Sequence, residues 1–235
     1  MRTALLTGGT GGLGTAVTEN LLAAGWRCVV PYRQAATAEQ LKSKISERSS
    51  LERLSLVVGD MFDEADVTRI AGFAEDPQAP VGAVVNLLGG FDAPGPVHET
   101  PVARFEEQLR MNLRATYLAC AACLPGMLER GEGAIVCVSS RAATRPFPGA
   151  AGYVTSKGAL LAFVDAMASE YTSSGVRVNA VLPSVINTPA NRASQPDADY
   201  STWVGPEEIA AVISFLCSRQ ASPISGAHIP VYGRA

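Results

Sequence analysis

The chain has 235 residues, 47% of them apolar and 17% charged, with a formal net charge of −3. A soft prior of about 150 residues per domain accommodates one α/β domain, and a chain this long buries about 70–75% of its unfolded surface without disulfide or metal staples. This balance excludes a disordered chain, which would be charge-rich and apolar-poor, and a nucleic-acid binder, which would carry a basic patch. Five cysteines, an odd number in a core-capable chain, read as reduced thiols and not as a secreted disulfide framework. Met1-Arg2-Thr3-Ala4-Leu5-Leu6-Thr7-Gly8 is a strand running into glycines and lacks the pattern of a secretory leader. No stretch approaches the roughly 18 apolar residues of a membrane span, so a cytoplasmic protein with no membrane partner is expected.

Taken in chain order, a strand at 3–6 leads into a helix at 13–24, a strand at 27–31 and a helix at 37–49. A strand at 54–58, a helix at 64–74, a strand at 83–87 and a helix at 102–128 follow. The chain closes with a strand at 134–138, a helix at 153–172, a strand at 177–182, a helix at 206–218 and a strand at 227–231. Runs such as Ala83-Val84-Val85 and Ala134-Ile135-Val136-Cys137-Val138 are apolar at every position, as expected where helices cover both faces of a parallel sheet. Proline stands at a first helical turn in Thr100-Pro101 and Gly205-Pro206. The alternation predicts a single α/β domain over 1–235: a doubly wound parallel sheet of seven strands with right-handed crossovers. The one long segment without periodicity, 183–205, follows the sixth strand and reads as a lid over the ligand crevice.

Thr7-Gly8-Gly9-Thr10-Gly11-Gly12-Leu13-Gly14 joins the first strand to the first helix. Glycines there allow a sharp turn and close approach to a pyrophosphate, and the helix N-terminus offers free N–H groups. A bare tight turn is the bland alternative; the position at the start of a βαβ unit favours a Rossmann-type nucleotide site. At the end of the second strand, Val29-Val30-Pro31-Tyr32-Arg33 offers no carboxylate for a ribose 2′-OH before Glu39, whereas Arg33 suits a 2′-phosphate. That favours NADP(H) over NAD(H), although Arg33 also reads as a solvated loop cation.

Tyr153 and Lys157 lie one helical turn apart on one face. A phenol titrates near pH 10, and an ammonium within about 4–6 Å lowers that value, so the pair can work as a base. Ser140 ends the fifth strand and suits a carbonyl oxygen; Ser139 points to the opposite face, and either is also an ordinary turn residue. Asn112 is a poor choice inside a helix unless it has a purpose or simply faces solvent.

The Gly8/Gly12/Gly14 loop, Asn86-Leu87-Leu88-Gly89, Asn112, Ser140, Tyr153, Lys157 and the run from Asn179 to Thr188, in this order, resemble the short-chain dehydrogenase/reductase family over essentially the whole chain. The resemblance implies Tyr153 as general acid/base and Lys157 as the cation that lowers its pKa and holds the nicotinamide ribose. It implies Ser140 as the group polarising the substrate carbonyl and Asn112 as the anchor of a relay water. Cofactor contacts are implied for Gly8, Thr10, Gly12, Leu13 and Gly14 of the loop. Asp60 would meet the adenine, Asn86 would support the adenosine side and Thr188 would touch the carboxamide, with Met61, Gly89, Pro183 and Ile186 as further cofactor contacts. The chain departs from the family pattern at Leu87-Leu88, at Pro183-Ser184 where Pro-Gly is usual, and at Val231-Tyr232-Gly233-Arg234.

The activity so implied is NAD(P)(H)-dependent hydride transfer between nicotinamide and a small carbonyl or secondary alcohol. Rival readings are a pterin reductase, since 182–192 and 196–203 resemble the lid of dihydropteridine reductases, a superfamily isomerase or dehydratase, and a catalytically silent nucleotide sensor. Helices 102–128 and 153–172 suggest a homodimer or homotetramer. Cys120-Ala121-Ala122-Cys123 reads as core packing, and the isolated His98 and His228 argue against a metal site or a Ser-His-Asp triad. Trp203 reads as a lid pin. Arg141 and Arg145 flank the expected cleft, as solvated loop cations or as recognition of an acidic substrate.

Overall fold

Seven short apolar runs pair into one sheet whose two sides are both covered by helices. The computed structural model describes residues 1–234. The first half comprises β1 (Thr3–Thr7), α1 (Gly12–Ala23), β2 (Arg27–Tyr32), α2 (Ala35–Lys44), α3 (Arg48–Leu51), β3 (Leu54–Val58), α4 (Glu64–Ala74) and β4 (Val81–Asn86). The second comprises α5 (Val102–Leu109), a π-turn (Arg110–Arg114), α6 (Ala115–Arg130), β5 (Gly133–Val138), α7 (Ala151–Tyr171), β6 (Val176–Pro183), α8 (Pro189–Ser194), α9 (Pro206–Cys217) and β7 (His228–Val231).

The strand order is β3-β2-β1-β4-β5-β6-β7 with every pair parallel. Successive side chains of a strand point to opposite faces, and this sorts the core in two. Leu5, Val29, Val84, Ile135 and Ala180 bury against α4, α6 and α7. Ala4, Leu6, Val30, Val85, Val136 and Val181 bury against α1, α2 and α9. The strand order reverses between β1 and β4, and in open α/β sheets the ligand crevice lies outside the carboxyl ends at that reversal. No helix among the described residues is long and apolar enough to cross a membrane.

Three expected elements differ. The helix expected at 37–49 starts at Ala35 and ends at Lys44, because Ile45 turns extended (φ −82°, ψ 105°) to bury its side chain beside Leu41, and only the short α3 follows. The helix expected at 102–128 is interrupted by the π-turn at Arg110–Arg114 and runs on to Arg130, where Gly131 in the left-handed region (φ 64°) ends it. The 183–205 segment, expected to be irregular, contains α8 and a 3-10 turn at Tyr200–Thr202. Thr188 caps α8, its hydroxyl accepting from Asn191 N at 3.3 Å, with Pro189 at the first helical position. Six residues give too little periodicity to read as a helix.

Ile135 is fully buried on β5. Ile135→Ala is expected to lower unfolding free energy in urea by about 2–5 kcal/mol, whereas Phe215→Ala, at a side chain left 44% exposed on α9, changes it by less than about 1 kcal/mol.

Candidate active site and nucleotide groove

Two hydrogen bonds fasten α7 to the end of β5. Ser139 Oγ donates to the carbonyl of Lys157 at 2.9 Å, and Lys157 Nζ donates to the carbonyl of Val138 at 3.0 Å. All the polar groups involved are buried, so each would be costly to leave unpaired. Ser139 is thereby turned into the protein, as the alternation along the strand predicts, and Ser140 faces the other way. One helical turn before Lys157, the Tyr153 phenol meets the Ser140 hydroxyl, which also accepts from Ala142 N at 3.2 Å. Phe91 packs edge-on against the Tyr153 ring, centroids 5.0 Å apart, and Phe147 lies beyond it at 6.2 Å.

The electrostatics differ from the expectation. Burial raises the Tyr153 phenol above its ordinary value, and the Ser140 hydrogen bond only partly opposes it. Lys157 is on the expected face, but its Nζ is turned to Val138 and stands 6.0 Å from the centre of the Tyr153 ring. It does not lower the phenol in this form. Burial instead pulls the ammonium itself down to about 8.

Asn112 sits in the π-turn, where an extra residue per turn breaks the regular helix. Its Oδ1 accepts from Gly90 N at 3.0 Å, and its Nδ2 donates to the carbonyls of Gly90 at 3.1 Å and Gln108 at 3.1 Å. The carboxamide of Asn112, the residue expected to anchor a relay water, holds the segment after β4. Gly89 is pressed between this amide and the lysine: a Cβ there would stand 2.6 Å from Asn112 Oδ1 and 3.0 Å from Lys157 Nζ.

Across the strand reversal, a cavity of about 270 Å³ is lined by Gly8, Thr10, Arg33, Asp60 and Met61, all expected cofactor contacts. Gln34, Thr37, Gly59 and Leu88 line it too and were not foreseen. The signal for Gln34 and Thr37 was the true start of α2 at Ala35, two residues before the predicted one. Arg33 reaches over the cavity to Asp60, Nη1 to Oδ2 3.6 Å. Gly8 adopts φ +72° with its Cα side against Leu88 N, and Gly14 leaves no room for a side chain against the Gly8 carbonyl. The N-cap of α1, Gly11, carries no capping side chain, so the first N–H groups of the helix remain open to a phosphate. These residues fit a dinucleotide.

Residues of segment 183–205 lie against the glycine loop. Thr188 lies against Gly12, where a Cβ would stand 2.9 Å from its Cγ2. Ile186 pairs with Val204, Pro183 ends β6, and Leu13 packs on the α1–α9 core. Asn86, expected to support the adenosine side, is buried at the end of β4, Nδ2 donating to Cys120 Sγ at 3.4 Å and Cys137 Sγ at 3.7 Å. Any support it gives the adenosine side passes through the backbone of β4. The five thiols are unpaired and buried, and burial raises Cys123 to about 12, which makes it a poor nucleophile. Among the described residues no group of three or more His, Cys, Asp or Glu could hold a metal ion.

Residues 2–199 match the short chain dehydrogenase family. The chain is 32% identical, over 99% of its own length and 97% of the relative's, to 2-(R)-hydroxypropyl-CoM dehydrogenase of Xanthobacter autotrophicus. It is 30% identical to acetoacetyl-CoA reductase of Allochromatium vinosum, over 99% and 97% of the two chains. A solved short chain dehydrogenase/reductase family protein, 34% identical, superposes with a TM-score of 0.87 over 99% of this chain and 96% of that one.

The lowered Lys157 value carries a stability signature. Below pH about 8 both states hold the proton and burial of the charge costs stability. Between about 8 and the ordinary value of 10.5 the folded chain has released the proton and the unfolded chain has not, so unfolding free energy rises with pH there. In denaturant titrations at pH about 8 and about 10, the wild type should gain on the order of 2–3 kcal/mol relative to Lys157→Met, since other groups titrate alike in both.

Proposed function

Since the chain belongs to the short chain dehydrogenase family and is an NAD(P)-dependent oxidoreductase, we propose that it acts on a small carbonyl or secondary-alcohol substrate with Tyr153 as its general acid and base. The observation that carries this is the half-buried Tyr153 phenol beside Ser140 on a helix clamped to the end of β5. Ser140 donates to the substrate oxygen and orients it, and Tyr153 gives that oxygen its proton during reduction. A phenol raised by burial stays protonated at neutral pH, which suits the reducing direction. A bound nicotinamide supplies or accepts the hydride and, when oxidised, adds a positive charge that opposes the burial penalty on the phenolate. Lys157 has three donors; one is used on Val138, leaving two for ribose hydroxyls. Asn112 and Gly89 act as positioning residues that keep the floor beside this ammonium in place.

NADP(H) is the preferred form on this reading. The end of β2 carries Arg33 and no carboxylate, and the N-terminus of α2 follows at once. The Arg33 side chain is 65% exposed in a loose pair with Asp60, an arrangement worth under about 1 kcal/mol that a 2′-phosphate would readily displace. Asp60 and Met61 then face the adenine, and segment 183–205 closes over the ligands with Thr188 at the nicotinamide end. The chain works in the cytoplasm as a homodimer or homotetramer, with the long helices as the contact faces; the exposed Tyr117 of α6, stacked at 5.8 Å on Phe163 of α7, suits such a contact. The dehydrogenase and reductase names of the relatives favour this reading over a silent nucleotide sensor or a pterin reductase.

Tyr153→Phe is expected to reduce turnover by about 10²–10⁴-fold or more while NADPH still raises the melting temperature; persistent turnover would remove Tyr153 from this role. Arg33→Ala is expected to raise KM for NADP(H) by about tenfold or more, as loss of a charge-assisted contact does, and to change KM for NAD(H) much less. Equal changes for the two cofactors would count against the 2′-phosphate assignment.

A further inference from the structure

We infer that the substrate carries an oxyanion, such as a carboxylate, held by the paired guanidiniums of Arg141 and Arg145 at the mouth of the site. The inference rests on the oxidoreductase reading above and names its substrate class.

The arginines of the described chain fall into three groups. Some meet a carboxylate, as Arg104 meets Asp92. Others are used on oxygen atoms of the fold: Arg53 on Leu22, Arg177 on Leu216, Arg192 on Asn187. Among the described residues Arg141, Arg145 and the near-terminal Arg234 have neither kind of side-chain partner. Arg141 and Arg145 are moreover brought together. Arg145 N donates to the Arg141 carbonyl at 2.9 Å, so they stand one turn apart, and both guanidiniums lie over a single ring, Tyr232, at 5.7 Å and 6.0 Å.

Two like charges on one ring, in a chain of net charge −3 with carboxylates to spare, repel each other. A cation–π contact offsets this only in part, and an oxyanion between them removes it with charge-assisted hydrogen bonds. The platform is itself fastened: the Tyr232 carbonyl accepts from Ser184 Oγ at 2.7 Å. Ser184 and Tyr232 are two of the three places where the sequence departs from the family pattern, and here they touch each other beneath the arginines. Arg141 directly follows Ser140, so an anion held there lies within a few bonds of an oxygen bound between Ser140 and Tyr153. Phe91 packs on Tyr153 with Phe147 beyond it, and these rings would cover an apolar carbon chain.

The test uses the full-length protein with NADPH and straight-chain oxo acids from acetoacetate to oxohexanoate, each beside its methyl ester. The wild type is expected to show kcat/KM at least about tenfold higher for the better acids than for their esters, through KM. In the Arg141→Met/Arg145→Met double variant that ratio should collapse towards unity, and the Lys/Lys double variant should retain part of it. Acetate should compete with an acid substrate in the wild type and lose that effect in the Met/Met variant. Equal turnover of acids and esters by the wild type, or an acid preference that survives the Met/Met change, overturns the inference and leaves the oxidoreductase reading standing. Turnover of neither class likewise overturns the inference, and a panel of other carbonyls then tests the Tyr153 reading separately. Should the Met/Met protein fail to fold, the wild-type ratio and the acetate competition decide on their own.

Discussion

The site depends on one reciprocal clamp. Ser139 donates to the backbone of α7 and Lys157 of α7 donates to the backbone of β5, within a buried pocket where neither donor has water as an alternative. Losing either bond leaves an orphaned polar group of the kind that costs about 1–3 kcal/mol, so helix and strand end are held in one register. That register brings Tyr153 to Ser140. The same burial then acts in opposite senses on the two titratable groups, raising the phenol and lowering the ammonium, because a low-dielectric setting disfavours whichever form is charged.

Close packing extends the clamp to the rest of the crevice. The π-turn carries Asn112 inward to grip both polar groups of Gly90, and Gly89 fits between that amide and Lys157 only because it lacks a side chain. Thr188 rests on Gly12 in a similar way. The segment after β4, the helix of Lys157 and segment 183–205 thus meet in contacts that tolerate no added methyl group, and the groove remains open where Arg33 and Asp60 face solvent.

Much of this was legible in the residues. The strands were readable because apolar runs buried on both faces carry an unambiguous signal, and the glycine loop because its place after β1 restricts what it can do. The side-chain partners of Asn86 were not legible: its place after an apolar strand suggests the groove, and only the fold shows its amide reaching Cys120 and Cys137. Helical spacing places Lys157 on the face of Tyr153 but says nothing about the Val138 carbonyl on a distant strand that its ammonium meets.

By itself the sequence determined the alternation of strand and helix, the seven-stranded parallel sheet, and the identities and order of Asn112, Ser140, Tyr153 and Lys157. These follow from local periodicity and turn chemistry, which a linear string contains. Only the tertiary structure decided where each polar group finds its partner: the Val138 carbonyl for Lys157, Gly90 for Asn112, and the Tyr232 ring for Arg141 and Arg145. Those partners lie up to 91 residues away along the chain, and they meet because burial forbids an unpaired donor and close packing leaves few places to satisfy it.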